Sequence, residues 1–324
     1  MRNALDADLD LSALFTPSAI GTVAVRNRFA MAPLSRYAAR RGIPAPELGA
    51  FYRRRAAGGA GLIISEGISI GDGPAGSGVA GIRDPGAVAA WKRIVDAVHA
   101  ERVPIFAQLM REETGGSRPV ESERTVAGYV EAARQARVAG FDGVEIHAAH
   151  GLLPATSGFG AELVAAVRAE LGPTVPITYR FSQWRLDRYD DRLAETPAEL
   201  EALLRPLAEA GVAAFHPSTR RFDEPGFPET GGPRGQLSLA GWTKTVTGRP
   251  AIIVGSIGLA KRGDEAEAAD TLGPLLRRFE RGEFDIAAVG RAVLANPDFV
   301  DLLRNGRVDD LVPYDEHRHK ATLR

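Results

Sequence analysis

Short apolar runs of strand length alternate along the chain with longer stretches in which apolar residues recur every three or four positions. The runs fall at 28–33, 61–67, 104–109, 143–149, 176–182, 213–218, 251–257 and 286–292. Stretches at 46–58, 85–101, 125–140, 159–171, 197–211, 265–282 and 296–305 have the spacing of amphipathic helices. Gly140, Gly211 and Gly282 stand just past three of them, where a left-handed residue ends a helix. Eight strand signals in one strand–helix alternation need a parallel sheet buried on both faces. The fold expected is therefore α/β, a single-domain (β/α)8 TIM barrel over residues 14–306, with 1–13 as an N-terminal leader and 307–324 as a C-terminal tail. A doubly wound sheet is the competing architecture. The Gly/Pro-rich segment 223–236 reads as a long loop after the sixth strand.

Composition narrows the chemistry. The 324 residues contain no cysteine, which removes disulfides, thiolate nucleophiles, zinc–thiolate sites and iron–sulfur clusters together, so redox chemistry would need an organic cofactor. A formal net charge of −1 favours neither nucleic acid nor an anionic membrane as partner. No stretch reaches the roughly 18 apolar residues of a membrane span. The first dozen residues lack the basic start and apolar centre of a signal peptide, and a cytoplasmic location is expected.

Barrel enzymes place their chemistry on the loops that follow the strands. After the seventh run, Gly255 and Ser256 let backbone approach a ligand; after the eighth, Gly290 and Arg291 add a fixed charge. Together they read as a phosphate cradle; glycines serving tight turns beside a surface arginine are the alternative. Arg180 closes an apolar strand and needs an anionic partner, either an electron-rich ligand edge such as the N1–C2=O side of a flavin, or a carboxylate such as Glu145. Gln108 could offer amide contacts to the same ring. His147 and His150 are three apart and would diverge on a regular strand, so both serve one site only if the strand ends near His147. Such a pair suits polarisation of a carbonyl or phenolate oxygen. Zinc bound by His147, His150 and His216, or histidines bonded to backbone, are the rival readings. His317 and His319, in a charged tail, are expected to be solvated.

Taken in order, these ends resemble the old yellow enzyme family of flavin-dependent ene-reductases. The resemblance rests on Leu14-Phe15-Thr16-Pro17, Val25-Arg26-Asn27-Arg28, Met31-Ala32-Pro33-Leu34-Ser35-Arg36, Gly61 to Gly67, Ala139 to His147, and Gly290-Arg291-Ala292 before Ala295-Asn296-Pro297-Asp298. It implies FMN contacts from Pro33, Leu34, Ser35, Gly67, Gln108, Arg180, Gly255, Ser256, Gly290 and Arg291. It implies that His147 and His150 bind the activating oxygen of an electron-poor alkene, and that NADPH or NADH reduces the flavin in passing. The lack of a Gly-x-Gly-x-x-Gly fingerprint fits a nicotinamide that binds only transiently. A small-molecule substrate is the expected partner, and a homo-oligomer stays open.

Two departures from the family pattern stand out. Met110 occupies the place of a tryptophan, with a short connection to the next helix. Leu152 occupies the place of the tyrosine that supplies a proton, and the segment after it is cut short. The site is therefore expected to be open, with Tyr37 as the nearest substitute acid in sequence. A scaffold diverted to isomerisation, desaturation or cyclisation, with or without flavin, and a silent binding protein are the alternatives to a reductase.

Overall fold

The computed structural model describes residues 9–71, 76–111, 122–153, 157–186, 188–259, 268–319 and 323. Two short strands, β1 (Ser18–Ile20) and β2 (Val23–Val25), pair antiparallel as a hairpin. Eight further strands follow: β3 (Phe29–Met31), β4 (Leu62–Ser69), β5 (Ile105–Met110), β6 (Gly143–His147), β7 (Ile177–Ser182), β8 (Ala214–Ser218), β9 (Ile252–Val254) and β10 (Ile286–Val289). They run parallel in sequence order, and β10 closes onto β3, so the sheet is a (β/α)8 barrel and not the doubly wound alternative. Helices α1 (Glu47–Ala57), α2 (Pro85–His99), α3 (Glu123–Val138), α4 (Ser157–Leu171), α5 (Pro197–Glu209), α6 (Leu239–Thr247) and α7 (Leu272–Glu280) connect them. The left-handed glycines lie where the pattern put them, with φ of +91° at Gly140, +116° at Gly211 and +73° at Gly282.

Strand alternation divides the side chains into two cores. Outward residues such as Ile63, Leu109, Ile146, Tyr179 and Phe215 meet the helices. Inward residues of β9, β10, β3 and β4 (Ile252, Val254, Ile286, Ala288, Ala30, Leu62 and Ile64) fill one side of the barrel with hydrocarbon. Gly143 leaves space for the Phe106 ring, because a Cβ there would lie 2.7 Å from it. The hairpin adds Ile20 and Val25 to this inner cluster, and the Thr22 hydroxyl donates to the Thr174 carbonyl at 2.5 Å. It therefore packs at the N-terminal end of the barrel, near Pro176 and Ala213, and the opposite mouth is where polar residues gather.

Three elements depart from the sequence reading. The hairpin was not anticipated, since three-residue strands are too short to show an alternation. Nor was α6: its sequence mixes one glycine with three threonines, and it is buried from Leu239 through Thr243, so no polar face marks its period. Ser238 caps it by accepting from the Gly241 N–H, and Gly248 ends it at φ +67°. The seventh helical stretch is shorter than expected, a 3-10 turn over Ala268–Thr271 followed by α7, with 260–267 outside the described residues. In the tail His317 is exposed as expected, but His319 is half-buried, its ring tilted against Tyr314, and its carbonyl accepts from Arg36.

Candidate active site

Beyond Phe106 and Ala214, the inward positions of β5 to β8 toward the mouth carry polar residues, where the inner cluster of the other four strands is hydrocarbon. Register aligns Gln108, Glu145 and Thr178 in one row. His147, Arg180 and His216 form the next row toward the mouth, and Ser182 and Ser218 the row above. Residues paired across a parallel ladder share a face, so these groups project together into the barrel. The signal lies in the sequences Gly-Val-Glu-Ile-His, Thr-Tyr-Arg-Phe-Ser and Ala-Phe-His-Pro-Ser, each of which alternates polar and apolar residues inside what would otherwise be a hydrocarbon layer.

Glu145 anchors the lowest row. It is fully buried and accepts from His216 Nδ1 at 2.8 Å, Gln108 Nε2 at 2.8 Å and Thr178 Oγ1 at 3.2 Å. Burial works against its charge, but His216, by charge and hydrogen bond, and then Arg180 and Gln108 hold its carboxyl below the usual range. Burial is also the main cause that lowers His216. Gln108 thus spends its amide N–H on the protein, and its carbonyl oxygen is the end available to a ligand.

Arg180 lies in the row above. No carboxylate among the described residues is within ion-pairing distance of it, so the alternative of a salt bridge to Glu145 is not met; Glu145 is paired with His216 instead. Arg180 Nη2 donates to Ser218 Oγ at 3.1 Å, while Nε is buried without a partner. A guanidinium held this way, its affinity for a proton lowered by burial, is poised for an electron-rich ligand.

The two histidines converge because β6 ends at His147 and the chain then turns, with His150 at φ +67°. Their rings meet edge-on at 5.4 Å. Burial first, then the charges of Arg180 and His216, push His150 down to about 3, and the same causes together with His150 hold His147 well below its ordinary value. Both are neutral donors or acceptors at physiological pH. His147 Nδ1 is buried without a partner, whereas His150 is gripped at three points. Its backbone N–H donates to Ser182 Oγ at 2.8 Å, its Nε2 lies 3.1 Å from Ser218 Oγ, and its ring stacks on Trp184 at 4.3 Å. Trp184 in turn packs on Tyr189, and Arg220 covers the Tyr189 ring at 4.6 Å. The sequence reading missed Ser182, Ser218, Trp184 and Glu145 as site residues; the first two could have been found from their place at adjacent strand ends.

The remaining expected residues line the other side of the mouth with different degrees of engagement. Pro33 is buried, Leu34 half-buried and Ser35 exposed on the segment after β3. Gly67 faces Met110, whose sulfur would lie 2.4 Å from a Cβ there. Gly255 has φ +139°, and a Cβ would come within 2.6 Å of Thr219 Oγ1 and 2.9 Å of the Phe222 nitrogen, so the loop after β8 already requires glycine there. Ser256, at φ +58°, donates to the Arg220 carbonyl. Gly290 is open enough for only Leu34 and Ala32 to come near a Cβ. Arg291 is exposed, beside the Tyr314 ring at 5.9 Å. Tyr37 is 64% exposed at φ +53°, and its hydroxyl has no partner among the described residues. Leu152 is half-buried past the histidines. Among the described residues no three His, Cys, Asp or Glu side chains could hold a metal, and no helix is long and apolar enough to cross a membrane.

The orphaned Arg180 Nε and the Gln108 carbonyl fit an aromatic ligand with both hydrogen-bond donors and acceptors on one edge, as FMN has, and the orphaned His147 Nδ1 is left for a second ligand. Comparison with known proteins agrees. The model of the NADH:flavin oxidoreductase / NADH oxidase family matches residues 13–125 and 119–156. A chanoclavine-I aldehyde reductase from Penicillium roqueforti is 29% identical, over 94% of this chain and 92% of that protein. An NADH oxidase from Thermoanaerobacter brockii is 28% identical over 92% of this chain, which spans about half of it (52%). Morphinone reductase, solved with tetrahydroNAD, superposes with a TM-score of 0.73 at 25% identity, covering 94% of this chain and 93% of that one. The old yellow enzyme homologue from Zymomonas mobilis, at 23% identity, shares the fold with a TM-score of 0.72 over 96% of each chain.

Proposed function

The chain belongs to the old yellow enzyme family of flavin oxidoreductases, and from that premise we propose that it reduces an activated alkene, such as an α,β-unsaturated carbonyl compound. FMN is its cofactor and NADH or NADPH its reductant. The observation that carries the substrate reading is the neutral pair His147 and His150, ring to ring at 5.4 Å beside a buried arginine. Two neutral imidazoles can donate to one carbonyl oxygen without becoming charged, which draws electron density from the far end of a conjugated alkene.

Bound FMN supplies hydride transfer between the nicotinamide and the substrate. Arg180 would offer a permanent charge to the cofactor edge that becomes electron-rich on reduction, and Gln108 a carbonyl acceptor to its pyrimidine N–H. Pro33, Leu34, Ser35 and Gly67 would border the ring, and Gly255, Ser256, Gly290 and Arg291 the phosphate. Since Gly255 is already required by the loop after β8, its part in that cradle is its backbone alone.

The proton is the weak point of this chemistry. Leu152 has none to give, and Tyr37 is turned to solvent. Loss of a general acid costs roughly 10²–10⁴-fold. Turnover of simple enones is therefore slow with water as donor, or the natural reaction is a desaturation or isomerisation that does not need that proton. Leu152→Tyr assayed with cyclohexenone and saturating NADPH tests this: a large gain supports the missing acid, and fast wild-type turnover with no gain removes it.

A further inference from the structure

Ser218 touches both halves of the proposed site: it lies 3.1 Å from Arg180 Nη2 and 3.1 Å from His150 Nε2. A hydroxyl has one proton to donate and two lone pairs. Arg180 can only donate, so it occupies one lone pair. His150 then meets Ser218 in one of two ways. If Nε2 carried a proton and donated it, Ser218 would accept twice, and its own proton would have no acceptor. Ser218 is 4% exposed and has no other side-chain hydrogen-bond partner among the described residues, so this arrangement buries an unsatisfied O–H. If Ser218 donates to Nε2, the hydroxyl and Nε2 are both satisfied, and each bond polarises the next.

We propose that Ser218 fixes His150 as the tautomer protonated at Nδ1, through a relay that runs from the Arg180 guanidinium to the serine hydroxyl to Nε2. The nitrogen turned away from Ser218 is then a donor, as binding of a substrate oxygen requires. The rest of the surroundings hold the ring for this purpose: Ser182 pins the backbone N–H and Trp184 stacks on the face. Ser218 is a positioning residue, since it acts through His150. It also ties the cofactor side of the site to the substrate side, because a cofactor that draws Arg180 toward itself loosens the same hydroxyl that orders His150. The value of this inference for catalysis rests on the reading that His150 binds substrate oxygen; the tautomer itself does not.

Nitrogen-15 NMR of the six histidine rings in the FMN-bound protein, assigned with His150→Gln, reads the tautomer directly. The expected result is an Nδ1 that carries the proton and an Nε2 with a free lone pair for His150. Protonation at Nε2 in the wild type would overturn the proposal. Ser218→Ala should convert His150 to a mixture of tautomers and weaken p-nitrophenol, titrated through the flavin spectrum, by about tenfold, the size of one net hydrogen bond; Ser218→Thr should restore both. An unchanged His150 spectrum in Ser218→Ala would overturn the relay. Wild type that shows the Nδ1 tautomer yet fails to bind the phenol supports the relay and instead overturns the substrate reading.

Discussion

At the scale of single residues, burial decides which charges the mouth can hold. Glu66, 2% exposed within β4, accepts from the Arg36 N–H at 2.7 Å and so ties down the segment that follows β3. Burial pushes its carboxyl up to about 7, with the Arg36 hydrogen bond and charge opposing. The folded state therefore binds a proton more tightly than the unfolded chain. Stability from this group is present below its ordinary value of 4.5 and is lost as pH rises through 7, by about 3 kcal/mol. Glu66→Gln keeps the acceptor without the charge, so urea unfolding should show the variant gaining on wild type by roughly that amount between pH 4.5 and 8. A gap that does not move with pH would show the carboxyl titrating normally. Arg180 makes the opposite case. Its Nε is buried without a partner, so Arg180→Met should leave the stability of the apoprotein within about 1 kcal/mol of wild type while abolishing the stabilisation by FMN. A collapse of the apoprotein would mean that the arginine holds the barrel and not a ligand.

At the scale of elements, the strand ends do more than present side chains. Gly255 is held at φ +139° with the loop after β8 folded against it. Gly255→Ala should cost roughly 1–3 kcal/mol from the backbone alone, and more where the loop must move, and should do so equally in the absence of flavin. An apoprotein melting temperature equal to wild type would return that glycine to the ligand. Most of the barrel was legible because its eight strands are apolar runs and its helix ends carry left-handed glycines. The β1–β2 hairpin and α6 were not, for lack of length in one and of a polar face in the other. The turn that brings His150 beside His147 was legible as a condition, that the strand end at His147, and β6 does end there. Trp184 was not legible, because it stacks on His150 from a loop after β7, and no periodic signal links a loop residue to a ring in the turn after the neighbouring strand. Ser218 shows the same limit: its place at a strand end is visible in the sequence, but its two partners come from β7 and from beyond β6.

At the scale of the whole molecule, the barrel is asymmetric inside. Four neighbouring strands give it hydrocarbon, and toward the C-terminal ends of the other four stands a stack of Gln108, Glu145, His216, Arg180, His147 and Ser218. Buried polar groups on this scale weaken a core unless each has a partner, and three of them, Arg180 at Nε, His147 at Nδ1 and His216 at Nε2, keep atoms that no group among the described residues satisfies. That imbalance is what a bound flavin and an oxygen-bearing substrate would relieve. The most direct measurement is anaerobic stopped-flow absorbance of the purified protein with FMN. NADPH or NADH should bleach the flavin band, and cyclohexenone added afterwards should restore it, slowly for wild type and faster for Leu152→Tyr. A protein that takes up FMN and is bleached, but whose colour no enone restores, would contradict alkene reduction; one that takes up no FMN would contradict the account as a whole.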